Sequence, residues 1–311
     1  MSSTRTSAAG YAGTLALTGL APLVWGSTYA ITTEFLPPDR PLFTALMRAL
    51  PAGLLLLAVT RKLPHGQWIW KAGVLGVLNI GAFFPLLFLA AYRLPGGVAG
   101  VLGAAAPLIA LGVASVALND KLTTRKVAAG AVGMLGVSLV VLRATAALDT
   151  IGLIAGLAGA ASMAVGTVMT KRWGRPEGVT PLAMTGWQLT AGGILLLPLA
   201  LIVEGGPPAL DARAIGGYLF LGLIGTALAY SLWFRGLARA NATSVAFLGL
   251  LSPLSAAVIG WIALGQALSP LQVLGMAIAL GGTLLGQTTP RPAPAVIPAA
   301  PVEPALARSA A

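Results

Sequence analysis

The sequence predicts an all-α integral membrane protein in which ten transmembrane helices form two inverted five-helix repeats. Of the 311 residues, 57% are hydrophobic and 9% are charged, and the mean hydropathy is +0.89. A chain with so few charged residues cannot give soluble domains a polar surface. We therefore expect lipid to be its main solvent. The chain divides into ten apolar stretches, and the last five resemble the first five. Because five is odd, the second copy is upside down relative to the first, as in secondary transporters.

The predicted crossings follow one another along almost the whole chain. A hydrocarbon core about 30 Å thick takes about 20 helical residues to cross. Stretches of this size occupy residues 12–33, 42–60, 70–92, 97–118, 126–142, 151–170, 180–203, 214–234, 243–264 and 270–286. They are apolar on every side, whereas the strands of a membrane barrel alternate between apolar and polar residues, and this difference favours helices.

These crossings divide the chain into four parts. Residues 1–11 are predicted to be a cytoplasmic N-terminus, residues 12–146 the first five-helix repeat and residues 147–288 the second, inverted repeat. Residues 289–311 are rich in Pro and Ala and lack periodicity, which is typical of a disordered tail, here cytoplasmic.

The distribution of basic residues predicts the orientation in the membrane. If the N-terminus is cytoplasmic, the outer side receives Arg40, Arg48, Arg93, Arg143 and Arg213, which leaves 14 of the 19 basic residues inside. This asymmetry is the positive-inside rule, and with ten crossings both termini lie in the cytoplasm. We therefore expect a multi-pass protein of a bacterial inner membrane. The net charge of +11 is explained by topology, so no nucleic-acid partner is expected.

Two short segments reveal the repeat at a common spacing. Leu118-Asn-Asp-Lys-Leu122 and Leu264-Gly-Gln-Ala-Leu268 each end a crossing that carries a proline eleven residues earlier, Pro107 and Pro253, at an offset of 146. The match of both segment and proline at one offset predicts that the fourth and ninth crossings are equivalent.

A second match and two aromatic segments indicate a known family. Gly53-Leu-Leu-Leu-Leu57 matches Gly193-Ile-Leu-Leu-Leu197 at an offset of 140. With Leu23-Val-Trp-Gly-Ser-Thr-Tyr29 and Leu228-Ala-Tyr-Ser-Leu-Trp-Phe234, these features resemble the drug/metabolite transporter superfamily over about residues 12–286, specifically exporters with two EamA-type domains. The chain looks most like the bacterial aromatic amino-acid exporters. The resemblance implies ten helices, alternating access and export of amino acids and other metabolites.

One departure from that family concerns two loops. Family members often carry Glu after the fourth and ninth crossings, whereas this chain has Asp120 and Gln266. The alternative to a functional carboxylate is capping of the helix that follows, because Thr123 and Ser269 lie near the expected helix starts.

Aromatic and hydroxyl side chains share one face of the first helix. At 100° per residue, Pro22, Trp25, Thr28, Tyr29 and Thr32 point to the same side. Rings beside hydroxyls suit a ligand that has a ring and a polar group. Plain packing is the alternative, since hydroxyls in a helix also bond to its backbone.

The eighth helix has a similar face, made of Thr226, Tyr230, Trp233 and Phe234. Trp233 and Phe234 approach the basic loop at Arg235, so they are alternatively residues of the interfacial aromatic belt.

Further polar candidates lie in the second, third and seventh helices. Asn79, one turn before Phe83, should face a cavity or form a hydrogen bond between helices, because a lipid-facing amide is costly. Trp187 and Gln188 lie in the seventh helix, and Gln188 aligns with Arg48. Arg48 lies six residues inside the outer boundary, and we favour snorkelling to the headgroups over binding of a carboxylate. The predicted substrate-binding residues are Trp25, Thr28, Tyr29, Asn79, Phe83, Met163, Trp187, Tyr230, Trp233 and Ser244.

Prolines and glycines predict hinges and close packing. Pro22, Pro85, Pro107 and Pro253 are the candidate hinge or gating residues, with static bends as the alternative. Close backbone approach is expected at Gly130, Gly133, Gly136, Gly152, Gly156, Gly282 and Gly286, either within the chain or between two copies.

The residue types that are missing exclude several mechanisms. No Asp, Glu, Lys or His lies deep in a predicted crossing, so a membrane carboxylate for proton exchange is absent and uniporter-like export is expected. The alternatives are a proton-coupled exporter of other neutral or drug-like metabolites, an intramembrane enzyme and a membrane scaffold. An enzyme is disfavoured because the single histidine, His65, lies in a loop.

We therefore expect no catalytic residue, no metal and no cofactor. The expected partners are the lipid bilayer and a small solute, an amino acid or a similar metabolite, and the protein itself is expected to be a monomer or a homodimer.

Overall fold

The computed structural model describes residues 8–94, 102–141, 149–265 and 269–287, which are helical and contain no strand. We number the helical segments α1 (Gly10–Phe35), α2 (Pro41–Thr60), α3 (Gln67–Arg93), α4 (Ala106–Ala117), α5 (Thr124–Val141), α6 (Thr150–Trp173), α7 (Pro181–Val203), α8 (Ala212–Arg239), α9 (Ala242–Ala263) and α10 (Pro270–Gly286). The predicted junction between the repeats, Arg143, Gln266 and the tail 289–311 lie outside the described residues.

Seven of these helices, within the described ranges, are long and apolar enough to cross a membrane. They are α1, α2, α3, α6, α7, α8 and α9, while α4 and α10 are shorter apolar helices. Large apolar side chains point outwards, including Val116, Ile202 and Ile262, which are 84%, 81% and 72% exposed. Only lipid can cover so extensive an apolar surface in a single chain. The expected all-helical, multi-pass membrane class is therefore confirmed for the described part of the chain.

The starts of α4 and of the second part of α9 show where two of the candidate hinge prolines stand. Helix α4 begins at Ala106, so Pro107 stands in its first turn. Helix α9 is interrupted by a turn at residues 249 and 250, and Pro253 stands in the first turn of Leu251–Leu264. The amides of a first turn have no partner within the helix, so proline is tolerated there. These two prolines follow breaks in the helices and do not kink their interiors.

Helix pairing follows a regular scheme. Helix α2 packs against α7 and α5 against α10, and these two pairs have the most extensive contacts. Helix α3 packs on α6 as α8 packs on α1, and α4 packs on α6 as α9 packs on α1. Exchanging α1–α5 with α6–α10 leaves all of these pairings unchanged.

Glycines at the α2–α7 contact show how the two helices meet. A Cβ on Gly53 would lie 2.5 Å from the backbone N of Thr190, and a Cβ on Gly193 would lie 2.9 Å from the backbone N of Leu50. The contact between Gly53 and Thr190 is thus repeated between Gly193 and Leu50, with the roles of the two helices exchanged, because the equivalent residues are 140 positions apart. As the residue number increases along α2, the number of the residue that it contacts in α7 decreases, so the two helices are antiparallel.

The α5–α10 contact repeats this arrangement at an offset of 146. A Cβ on Gly136 would lie 2.8 Å from Cα of Ala279, and a Cβ on Gly282 would lie 2.5 Å from the backbone N of Gly133. These helices are also antiparallel. A Cβ on any of the seven glycines expected to allow close approach would meet a distant segment of the same chain, so packing within the chain accounts for them.

Two widened turns occur at equivalent places in α3 and α8. Val77–Gly81 and Phe220–Leu228 are π-helical. They contain Asn79 and Thr226, each of which bonds to a polar side chain of another helix. Wide turns of this kind are rare and often mark functional regions.

Polar side chains cap several helices. Ser269 and Gln272 form a capping box at the start of α10, so the capping alternative describes Ser269. Thr123 accepts a long hydrogen bond, 3.4 Å, from the backbone N of Lys126. Glu204, after α7, accepts hydrogen bonds from the backbone N atoms of Leu42 at 2.6 Å and Phe43 at 2.9 Å, and so caps α2 from the other half of the chain.

Candidate functional site

A cavity of about 160 Å³ lies between the first five and the last five helices. It is bounded by α1, α2, α3, α4, α6, α8 and α9, and most of its lining is apolar. The lining residues are Trp25, Thr28, Tyr29, Arg48, Phe83, Leu87, Ala90, Gly103, Ala106, Pro107, Gly156, Gly159, Ala160, Met163, Ala164, Thr167, Tyr230, Trp233, Ala246, Gly249, Ser252 and Pro253. We call this space the central cavity.

One wall of the central cavity is aromatic. The ring of Trp25 lies 4.9 Å from that of Tyr230 and 5.1 Å from that of Trp233, centroid to centroid. The indole N–H of Trp25 donates to the carbonyl of Gly225 over 2.9 Å, which holds the ring in place. Tyr230 and Trp233 are 1% and 3% exposed, so Trp233 is not a residue of the lipid-facing belt. This wall can receive an aromatic ring by stacking or edge contacts.

Arg48 is a buried cation at the cavity, which corrects the expectation that it snorkels. Its side chain is 2% exposed and cannot reach the headgroups. Nε donates to Thr226 Oγ1 over 2.9 Å, and Nη2 donates to the carbonyl of Gly225 over 3.1 Å. The guanidinium carbon lies 4.6 Å from the centre of the Phe84 ring. The wide turn of α8 and an aromatic face therefore hold this charge inside the protein.

Backbone breaks from both halves of the chain meet at the central cavity. Gly103, Ala106 and Pro107 line it at the start of α4, and the residues 146 positions later, Gly249, Ser252 and Pro253, line it in α9. Interrupted helices are tolerated at membrane depth where they border a cavity.

A second cavity of about 150 Å³ lies beyond the aromatic wall. It is lined by Thr170, Lys171, Gly174, Arg175, Pro181, Met184, Gln188, Phe234, Leu237 and Ala238. The ring of Phe234 lies 5.8 Å from that of Tyr230, so one aromatic pair joins the linings of the two cavities. Phe234 is 3% exposed, and the belt interpretation is wrong for it as well.

Asn79 and Gln188 form a buried amide pair beside this second cavity. Asn79 Nδ2 donates to Gln188 Oε1 over 2.8 Å and to Thr170 Oγ1 over 3.3 Å. For Asn79, the hydrogen bond between helices is therefore the alternative that the structure shows. The pair is the counterpart of Arg48 and Thr226, since Gln188 follows Arg48 by 140 positions and Thr226 follows Asn79 by 147.

Seven of the ten predicted substrate-binding residues line the central cavity: Trp25, Thr28, Tyr29, Phe83, Met163, Tyr230 and Trp233. The structure places Asn79, Trp187 and Ser244 elsewhere. The indole N–H of Trp187 donates to the carbonyl of Lys62 over 2.6 Å, and its ring packs 6.3 Å from Trp68. The carbonyl of Ser244 accepts from Gln287 Nε2 over 3.4 Å.

The predicted hinge prolines separate into two pairs. Pro107 and Pro253 line the central cavity, whereas Pro22 and Pro85 do not. Pro22 lies inside the first part of α1, four residues before the turn at Gly26, and Pro85 follows the wide turn of α3.

Sequence reasoning did not assign Arg48, Thr167, Ser252 or the small residues of α6 to the cavity. A signal for Ser252 was present, because it lies next to Pro253, one of the two prolines that repeat at an offset of 146. The described residues contain no group of three or more His, Asp or Glu side chains that could hold a metal ion.

Comparisons with known proteins agree with this architecture. The sequence profile of the EamA-like transporter family matches residues 13–142 and 150–286. The chain is 43% identical over 267 residues to Protein PecM of Dickeya dadantii, which covers 86% of this chain and 90% of the relative. It is 29% identical over 223 residues to a probable terminal-alkyne amino-acid exporter of Streptantibioticus cattleyicolor, covering 71% of this chain and 74% of the relative.

A solved crystal structure has a similar fold, with a TM-score of 0.75 at 18% identity, covering 88% of this chain and 96% of the other. The family match spans both halves of the chain, and the helices are those of a multi-pass membrane protein. The chain therefore belongs to the EamA-like transporter family of the drug/metabolite transporter superfamily, whose members are transporters and not enzymes.

Proposed function

We propose that the protein is a secondary transporter that exports small metabolites, amino acids and preferably those with aromatic or large apolar side chains. The observation that carries this proposal is the central cavity, which lies between the two halves and has an aromatic wall of Trp25, Tyr230 and Trp233. The name of the amino-acid exporter among its relatives supports the substrate class. An indole or phenyl ring buried there would gain a few kcal/mol at about 25 cal/mol per Å².

The architecture we propose is ten transmembrane helices in two inverted repeats. Its support is the exchange of contacts between counterparts, since Gly53 meets Thr190 as Gly193 meets Leu50. Reciprocal contacts of this kind are typical of a two-fold axis. The antiparallel course of α2 and α7, and of α5 and α10, fits two halves of opposite orientation.

Alternating access is supported by the breaks of α4 and α9 at the cavity. A break lets one part of a helix move relative to the other, and paired breaks at Pro107 and Pro253 give each half its own moving element. These are the candidate hinge residues.

Transport without tight proton coupling is supported by the chemistry of the lining. Among the described residues, the lining of the central cavity contains no Asp, Glu, Lys or His. Arg48 is the one charged member, and an arginine guanidinium keeps its proton in proteins, so it does not serve as a proton-exchanging group. Uniporter-like export is therefore our proposal, with proton coupling as an outcome of the test.

We propose a bacterial inner membrane as the location, with both termini in the cytoplasm. The support is the excess of basic residues on one side of the predicted topology. Tags at each terminus, probed with an impermeant reagent in right-side-out vesicles, test this arrangement. Exposure of a single terminus on the outer side would contradict an even number of crossings.

Counterflow in proteoliposomes tests the proposed function directly. Liposomes that hold the purified protein and unlabelled tryptophan should accumulate labelled tryptophan, phenylalanine and leucine at equal pH on both sides. Empty liposomes and competition with lysine are the controls for leak and specificity. No counterflow would sink the transport proposal and favour a scaffold, while counterflow that requires a pH gradient would sink the uniporter mechanism alone.

A further inference from the structure

The central cavity holds a cation that has no counter-ion within the described residues. The hydrogen bonds of Arg48 use Nε and Nη2, while Nη1 is buried and has no partner. The ion pairs of the described residues join Arg93 to Asp149 and Arg213 to Glu34 on exposed side chains, and none involves Arg48. A buried, unpaired cation is costly. A bound anion would remove that cost.

A second unpartnered donor lines the same cavity. Trp233 Nε1 is buried and has no hydrogen-bond partner. Of the buried polar atoms without a partner, the two on described lining residues are this indole nitrogen and Arg48 Nη1. Both groups are obligate donors. Unsatisfied buried donors in a cavity require an acceptor, and a ligand is the natural source.

We propose that the cavity recognises its solute by a carboxylate, with Arg48 and Trp233 as the donors, and that it binds aromatic or large apolar organic acids. The inference rests on the proposed function, since it takes the aromatic wall as the site of the solute's ring. A carboxylate is acceptor-only, and arginine suits it in charge and in hydrogen-bond geometry. The apolar remainder packs against Trp25 and Tyr230.

The amino group of an amino acid finds hydroxyl oxygens but no carboxylate partner in the described lining. An ammonium group donates three hydrogen bonds and needs acceptors or a negative charge. No carboxylate side chain lies in the described lining, which carries one positive charge. A monoanion neutralises that charge, whereas a zwitterion brings an unmatched cation into an apolar space. A zwitterion should therefore bind no more tightly than the monoanion that lacks the amino group.

Three indole ligands separate these contributions. Indole-3-propionate has the carboxylate without the amine, tryptophan has both and tryptamine has the amine alone. Calorimetric titration of the purified protein in nanodiscs should show that indole-3-propionate binds at least as tightly as tryptophan. Tryptamine should bind at least about tenfold more weakly, as expected for a lost hydrogen bond to a charged group. Equal or tighter binding of tryptamine, or binding of none of the three, would overturn the proposal.

Two variants assign the effect to residues. Arg48→Gln introduces the side chain found at the counterpart position, Gln188, and should weaken indole-3-propionate about tenfold or more without weakening tryptamine. Trp233→Phe keeps a ring and should weaken indole-3-propionate about two- to tenfold. The matched controls are Arg213→Gln, whose side chain is 59% exposed, and Trp261→Phe, whose residue is 52% exposed. Unchanged affinity for indole-3-propionate in Arg48→Gln would refute the role of the guanidinium.

Flux measurements keep this inference apart from the proposed function. Tryptophan flux without any preference for the carboxylate would reject carboxylate recognition and leave the transporter in place. Binding that depends on the carboxylate and on Arg48, but without flux, would reject transport and leave the site in place. If Arg48→Gln does not fold, the order of the three ligands on the unaltered protein and the Trp233→Phe variant decide.

Discussion

Adjacent glycines of α10 provide a matched test of the antiparallel packing of α5 and α10. A Cβ on Gly282 would lie 2.5 Å from the backbone N of Gly133, whereas a Cβ on Gly281 would meet no atom within 4 Å. Ordinary contacts between such atoms lie at about 3.5–4 Å, so alanine at position 282 must push the helices apart by about 1 Å. Overpacking of this size costs about 1–3 kcal/mol.

The two alanine substitutions share every other effect. Each removes a glycine from a helix interior, which stabilises by about 0.5–1 kcal/mol. Gly282→Ala should therefore have a free energy of unfolding about 1–3 kcal/mol below that of Gly281→Ala. Gly136→Ala, the counterpart of Gly282→Ala, should lose a similar amount because its Cβ would meet Ala279 in the same way.

Unfolding in mixed micelles with increasing SDS, followed by intrinsic tryptophan fluorescence, measures these differences. The chain has 7 tryptophans and no cysteine, so thiol-reactive dyes are not an option. If Gly281→Ala and Gly282→Ala unfold within about 0.5 kcal/mol of each other, the close approach of the two helices is refuted.

Three further predictions concern other contacts. Trp25→Ala removes part of the aromatic wall and should weaken tryptophan binding about tenfold, whereas Trp261→Ala on the lipid-facing surface should not; equal effects in calorimetry would contradict the location of the site. A double-mutant cycle of Asn79→Ala and Gln188→Ala should give a coupling energy of about 0.5–1.7 kcal/mol in SDS unfolding, and additive effects would show that the amide pair contributes nothing. Glu204→Ala removes a helix cap and should cost about 0.5–2 kcal/mol in the same measurement; no loss would disprove the capping of α2.

Helix positions were predictable because a membrane leaves little choice. A crossing needs a long apolar stretch, and charged or Pro- and Gly-rich loops must separate successive stretches. The stretch at 42–60, for example, corresponds to α2 at Pro41–Thr60. The exception is the fourth crossing, 97–118, where a turn at residues 104 and 105 separates helical residues 102 and 103 from α4, and nothing in the composition of this apolar run shows the interruption.

The lining of the cavity was predictable only in part. A helical face of rings and hydroxyls identified Trp25 and Tyr230, because periodicity reports which side chains share a side. It does not report what that side meets. Arg48 bonds to Thr226, 178 positions away, and Trp187 bonds to Lys62, 125 positions away. Contacts at such separations depend on how the helices pack, so they could not be inferred from either helix alone.

The widened turn of α3 has a consequence for everything that follows it in that helix. Each residue of a regular helix turns the chain by about 100°, and a π turn takes up about one extra residue. Loss of one residue from Val77–Gly81 would remove the widened turn and leave the remainder of α3 in place, whereas regular α-helical winding of all five residues would rotate the remainder by about 100°. Phe83 would then leave the cavity and Phe84 would leave the guanidinium of Arg48. The extra residue therefore sets the angular phase of the helix, and with it the chemistry that the protein presents to its solute.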